Sequence, residues 1–220
     1  MPELPSVAVL LSGGGTNLQA IADYAARVGT FRIAGVISDQ PDAGGLARAA
    51  RMDLPATVCA RARGASRAEH EHVVVQALAQ WSPDLVALAG YMRILSGSLV
   101  SQFEGRMLNV HPSLLPRYRG LDTYRRALAD GAAQHGSSVH YVTEELDGGP
   151  VIAQAATAIA DDDDEQSLRH RVQAMEYRLF PRVIDAVCRG DIGLADGHVH
   201  WRRQALPAPL SLEQLEEVYR

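Results

Sequence analysis

Residues 85–89 read LVALA, an apolar run with no polar alternation, set between Pro83-Asp84 and Gly90. A strand with one wet face alternates. A run apolar on both faces fits a strand of a parallel sheet with helices over each side. The same kind of run occurs at Val7–Leu11, and a strand-like segment spans Phe31–Ile37. Between such runs lie longer amphipathic stretches: a helix from Leu18 to Ala26, a second within DAGGLARAARMD ending near Asp53, and a third over Arg67–Gln80. Further short elements are a strand at Ala56–Val58, a helix near Ser98–Phe103 and a strand at Met107–Val110. Strand–helix alternation of this kind predicts an α/β, Rossmann-like, doubly wound and mostly parallel sheet.

The second half departs from strict alternation. After a helix at Thr123–Asp130, the segment SSVHYV alternates like an antiparallel or edge strand. GPVIAQAATAI reads as its partner across a turn at Asp147-Gly148-Gly149, so the sheet is expected to be mixed. DDDDEQSLRHRVQAMEYRLFPRVIDAVCRG predicts a long last helix with an acidic start suited to the helix dipole and Gly190 behind it. Residues after 190 read as a short strand or hairpin and a mobile tail. The expected organisation is one domain over 1–190, with 191–220 as its C-terminal strand or hairpin and tail. At 220 residues the chain is long enough to bury one substantial core.

Charge and cysteine usage narrow the function. A net charge of −5 gives no overall basic footprint for nucleic acid or an anionic membrane, although it leaves a local anion site open. Cys59 and Cys188 stand far apart without metal-type spacing, which fits a reduced compartment better than a disulfide framework. The N-terminal apolar run is too short for a signal segment or a membrane span, and a cytoplasmic location is expected.

Three stretches carry chemistry. LLSGGGTNLQAI puts glycines between the first strand and first helix, where free backbone N–H groups and the helix N-terminus can face an anion. No Gly-Lys-Ser/Thr follows, so this is no Walker loop, and Leu18 stands where a dinucleotide fingerprint has its third glycine. A terminal phosphate held with help from Thr16 and Asn17, a dinucleotide, and a plain tight turn all remain open. Asn109 and His111 lie two apart, so on a strand they share one side, at the carboxyl end where α/β ligands bind. The histidine can move protons near neutral pH and the amide can donate to a developing oxyanion; a core histidine satisfied by a carbonyl is the competing reading. Asp147, in an Asp-Gly turn, is either an ordinary turn residue or a carboxylate that favours the imidazolium of His111. AGYMRIL at 89–95 suits the wall of a flat ligand's pocket, although on the residues alone Met92, Ile94 and Leu95 read more strongly as core. The other histidines form two His-x-His pairs without a convincing third ligand, so no metal is expected.

Taken in order, LLSGGGTNLQAI, AGYMRIL, LNVHPSLLPRYRG, HGSSVHYV and ELDGGPVIAQ resemble the phosphoribosylglycinamide formyltransferase family of the folate-dependent formyltransferase superfamily, from about residue 7 to about residue 185. The resemblance implies a single formyltransferase domain and transfer of a formyl group from 10-formyltetrahydrofolate, as co-substrate, to glycinamide ribonucleotide. By position it makes Asn109, His111 and Asp147 the catalytic set, with Asp147 keeping the imidazole charged. Gly15, Thr16 and Asn17 would hold the substrate phosphate, and Gln173 and Glu176 its ribose and glycinamide side. Arg67, Met92, Arg93, Ile94, Leu95, Asn109, Thr143, Glu144, Glu145, Leu146 and Asp147 would frame the folate. It implies small-molecule substrates, no nucleic acid or membrane partner, no metal, and a monomer or weak homodimer. Methionyl-tRNA formyltransferases and formyltetrahydrofolate deformylases share the core motifs but are expected to carry a further C-terminal or N-terminal domain; a sugar-phosphate binding module without catalysis is the remaining alternative. Arg119 and LDTY at 121–124 stand where familiar members carry proline and histidines, so Asp122 and Tyr124 take no role by resemblance.

Overall fold

A computed structural model of the chain describes residues 3–219. The chain divides into two compact units, one up to Asn109 and one from Val110. Among the described residues eight strands belong to a mixed, mostly parallel sheet, as expected, and three to a separate small one.

The first unit is built on β1 (Ser6–Leu11) and β4 (Leu85–Leu88), every residue of which is buried. They pair in parallel, and β1 pairs in parallel on its other side with β2 (Arg32–Ser38). β3 (Ala56–Val58) extends the sheet beyond β2, and β5 (Met107–His111) pairs with β4 through Met107–Asn109. Every residue of β4 is buried, so both its faces are covered, as the all-apolar run at 85–89 suggests. Four helices connect these strands: α1 (Thr16–Val28), α2 (Gly44–Arg51), α3 (Arg67–Trp81) and α4 (Gly97–Gln102). α1 ends where Gly29, at φ 63°, turns its N–H back to Ala25 O. α3 starts on a capping box in which Ser66 and Glu69 satisfy each other's backbone N–H. It packs tightly on β2: a Cβ on Gly35 would come within 2.4 Å of the Trp81 ring.

In the second unit β6 (Gln134–Tyr141) and β7 (Val151–Ala158) run antiparallel, as predicted, and β11 (Leu210–Ser211) pairs in parallel with β7. α5 (Thr123–Ala129) and α6 (Glu165–Cys188) pack together through Tyr124, Leu168 and Val172. α6 starts at Glu165, later than the acidic run suggested, because Asp164 caps it by accepting the Ser167 N–H while Ser167 accepts the Asp164 N–H. The acidic residues before it lie in the preceding turn.

After residue 190 the expected strand or hairpin is present, and the stretch expected to be a mobile tail carries regular elements. β8 (Ile192–Ala195), β9 (His198–Trp201) and β10 (Gln204–Ala205) form a small antiparallel sheet. β11 and α7 (Leu212–Val218) follow, with Leu210, Leu212, Leu215 and Tyr219 all buried. Burial of these side chains, a Ser211–Gln214 capping box and the Arg178–Glu216 ion pair from α6 hold this segment in place.

Candidate active site

The carboxyl end of β5 carries Asn109, then His111 two residues on, with Met107, Asn109 and His111 on one side of the strand. Pro112 follows and the strand stops, since proline supplies no N–H for a ladder. His111 is 6% exposed and is held from several directions. Its backbone oxygen accepts the Ser113 N–H at 2.9 Å and lies 3.0 Å from the Ser137 hydroxyl. Ring atom Nε2 sits 2.9 Å from the carbonyl of Tyr118, and Nδ1 sits 3.4 Å from Asp147 Oδ2. Both ring nitrogens therefore face oxygen acceptors, and only the imidazolium can donate to both at once.

Asp147 is fixed in turn by the chain around it. It occupies the left-handed region at φ 48°, in the turn where the Gly148 N–H donates to Glu145 O. The Gly120 N–H donates to its Oδ2 at 2.8 Å, and its side chain is only 9% exposed. Asp147 and His111 thus form one buried pair. On the far side His140 brings Nε2 to 3.8 Å from Oδ1 while Nδ1 lies 2.9 Å from Tyr141 O. Burial pushes the His140 imidazole below the ordinary histidine value, against the opposing pull of that carbonyl and of Asp147.

His140 took no role in the sequence reading, and neither did Ser137, Tyr118 or Gly120. Two of these act through backbone atoms, which leave no residue-type signal. Glu176 on α6 is buried with Oε1 3.3 Å from the Ser137 hydroxyl, behind the His111 backbone, and Gln173 lies half-buried one turn earlier. Of the residues placed around the folate, Glu144, Glu145 and Leu146 are exposed and Thr143 is half-buried. Glu145 is ion-paired with Arg119, the arginine where relatives were expected to differ. Asp122 pairs with Arg125 at the start of α5.

Tyr124 and Tyr118 both pack edge-on against the buried ring of His135, at centroid distances of 5.2 and 5.9 Å. Burial, as the larger influence, and the neighbouring His111 hold the His135 imidazole below 6.5, against the Pro112 carbonyl. The fold accommodates its neutral form. The stability it contributes is complete above the unfolded value of 6.5 and is lost as pH falls through the lower folded value. His135→Phe is therefore expected to flatten the fall of Tm as pH drops from 6.5 towards that lower value. A variant whose Tm follows pH as the wild type does would contradict this.

The first unit holds the other predicted residues. Gly15 caps α1 at φ 73°, and a Cβ there would meet Gly45 Cα at 2.5 Å, so the loop needs glycine on both counts. The loop is braced by the Gly45 N–H on Gly13 O and by Arg48 Nε on Gly14 O. Thr16 is exposed and Asn17 half-buried, and α1 has no acidic residue in its first turn to occupy the positive end of its dipole.

A cavity of about 240 Å³ is lined by Arg61, Arg67, His70, Glu71 and Met92–Leu95. Met92 and Ile94 are 67% and 56% exposed, which corrects their reading as core; Leu95 is buried. Glu71 in this lining accepts the Ser96 N–H at 2.7 Å, at the start of α4. Among the described residues no cluster of His, Cys, Asp and Glu is arranged to hold a metal.

Residues 6–184 match the formyl transfer family model described as Formyl transferase. The chain belongs to that family. It is 42% identical over 205 residues to the phosphoribosylglycinamide formyltransferase of Escherichia coli (strain K12), covering 92% of this chain and 96% of that protein. It is 37% identical to the trifunctional purine biosynthetic protein adenosine-3 of Gallus gallus, where it covers 20% of the longer protein. Among solved structures it resembles the phosphoribosylglycinamide formyltransferase of Coxiella burnetii at a TM-score of 0.91 and 40% identity, over 95% of this chain and 99% of that one. The glycine loop, the end of β5 and the Asp-Gly turn all fall within the matched residues.

Proposed function

We propose that this chain transfers the formyl group of 10-formyltetrahydrofolate to the amine of N1-(5-phosphoribosyl)glycinamide, giving formylglycinamide ribonucleotide and tetrahydrofolate in de novo purine synthesis. The observation that supports it best is the buried His111–Asp147 pair at the carboxyl end of β5, two residues beyond Asn109. Attack of the amine on the formyl carbon develops a tetrahedral oxyanion, whose collapse breaks the carbon's bond to the folate nitrogen as the amine proton passes to that nitrogen. The Asn109 amide and the His111 imidazolium donate to the oxyanion, and each such donor is worth roughly 10²–10³ in rate. Asp147 orients the imidazole and balances its charge, and it accepts from Nδ1 throughout. In the present arrangement Nε2 faces Tyr118 O. Donation from that nitrogen to the oxyanion thus exchanges one oxygen acceptor for another and requires the segment at Tyr118 to yield.

In this reading Gly15, Thr16 and Asn17 hold the phosphate through backbone N–H groups and side-chain donors, and Gln173 and Glu176 meet the rest of the ribonucleotide. The cavity beside Arg67 and Arg93 combines cations with the exposed side chains of Met92 and Ile94, which suits a co-substrate that joins flat rings to carboxylates. Its volume falls below the ~300–1,000 Å³ of a pocket for a whole drug-sized ligand, so it fits one end of the molecule, with Thr143–Asp147 framing another part. The proposal includes one catalytic domain over 1–190 with 191–220 as its C-terminal elements, a cytoplasmic location, and a monomer or weak homodimer.

The test is an absorbance assay of 10-formyltetrahydrofolate consumption with and without glycinamide ribonucleotide. Turnover that depends on the ribonucleotide is expected. Equal turnover without it would identify a deformylase, and none with either would leave a binding module.

A further inference from the structure

One buried carboxylate in the first unit has no part in the chemistry above. Asp39 follows β2 directly, and its side chain is 1% exposed. Its Oδ2 accepts Arg93 Nε at 2.6 Å and Gln40 Nε2 at 2.9 Å. Arg93 belongs to the loop that lines the cavity, and its own side chain is 34% exposed. Because Asp39 takes the Nε–H, the terminal nitrogens of the guanidinium are the donors left to serve the cavity. A free arginine spreads over many rotamers, and fixing it before a ligand arrives removes that entropy from binding.

The same loop is pinned a second time. The Ser12 N–H donates to Gly90 O at 3.0 Å, and the Ser12 hydroxyl accepts the Met92 N–H at 2.8 Å. Burial alone would raise the Asp39 carboxyl. Hydrogen bonds from Ser12, Arg93 and Gln40 outweigh that and hold it below the usual carboxylate value, so Asp39 stays ionised opposite Arg93. A buried charge with its Arg93 and Gln40 contacts both on Oδ2, and Oδ1 left without a hydrogen-bond partner, is costly to build for stability alone, since apolar packing would do as well.

We propose that Asp39 is a positioning residue for the co-substrate: it holds the Arg93 guanidinium in the orientation the cavity needs, while Ser12 sets the backbone of the loop that carries it. This rests on reading the cavity as the folate side of the site. Asp39 itself touches neither substrate, so its effect is confined to co-substrate affinity.

The test is steady-state kinetics on the full chain with 10-formyltetrahydrofolate and glycinamide ribonucleotide varied in turn, alongside Tm. Asp39→Ala is expected to raise KM for 10-formyltetrahydrofolate about tenfold, the worth of one charge-assisted contact. Its kcat should change less than about threefold, and KM for the ribonucleotide should hold. Arg93→Ala should raise the same KM by at least as much, and the double variant should add nothing further. If Arg93→Ala leaves that KM unchanged, the folate reading of the cavity fails. If Arg93→Ala raises it but Asp39→Ala does not, or if Asp39→Ala lowers only Tm, the positioning role is overturned. Should Asp39→Ala not fold, Arg93→Lys carries the test with the carboxylate in place. A lysine ammonium serves Asp39 or the cavity but not both, so KM should again rise about tenfold, and a wild-type KM would overturn the proposal.

Discussion

Replacing His111 with alanine is expected to lower kcat by at least ~10²-fold while leaving KM for both substrates within a few-fold. The imidazole lies at the end of β5 with one nitrogen on a carbonyl and the other beside Asp147, so its loss removes a donor from the reacting centre and leaves the carboxylate with its Gly120 and His140 contacts. Asp147→Asn isolates the charge, because the asparagine oxygen can still accept the Gly120 N–H. It too is expected to lower kcat by about 10²-fold or more. If the pair acts as a unit, the double variant should be little worse than either single one. Circular dichroism and Tm close to wild type would separate lost chemistry from lost fold. Unchanged kcat in both single variants would remove the pair from the mechanism.

Gly149→Ala is expected to destabilise the protein by about 3 kcal/mol or more. An added Cβ would lie 1.9 Å from the carbonyl oxygen of Tyr141 and 3.0 Å from its carbon, atoms of the neighbouring strand that cannot rotate away. Relief requires β6 and the turn to separate, and that turn carries Asp147. The variant should therefore lose both Tm and activity, whereas His111→Ala loses activity alone. A fall in Tm small enough to match an ordinary surface substitution, within about 0.5 kcal/mol, would mean that the turn tolerates a side chain.

The strands were readable because burial on both faces leaves its mark on every residue, as in LVALA. Asn109 and His111 were readable because a period of two puts them on one side of β5. The Asp-Gly-Gly turn was readable as a turn. Its detail was not: Asp147 rather than Gly148 takes the left-handed conformation, held there by the contacts of its carboxylate. His140 escaped notice because a histidine in an alternating strand looks the same whether it faces a core or a carboxylate. Met92 and Ile94 misled in the opposite direction, since apolar residues after a buried strand read as core until the loop is seen to turn outward. After residue 190 the hairpin was readable and is formed by β8 and β9, but strands of two residues, such as β10 and β11, are too short to show any period. Only Ser211-x-x-Gln214 carried a helix-start signal there, and that signal stands in the sequence for anyone looking for a capping box.

The most direct measurement uses 10-formyltetrahydrofolate carrying ¹³C in its formyl group, with glycinamide ribonucleotide and the purified chain, followed by carbon NMR. The label is expected to leave the folate and appear as the formamide carbon of the ribonucleotide, at a rate that collapses in His111→Ala. Label released as formate, or label retained on the folate while the ribonucleotide binds, would contradict formyl transfer at the end of β5.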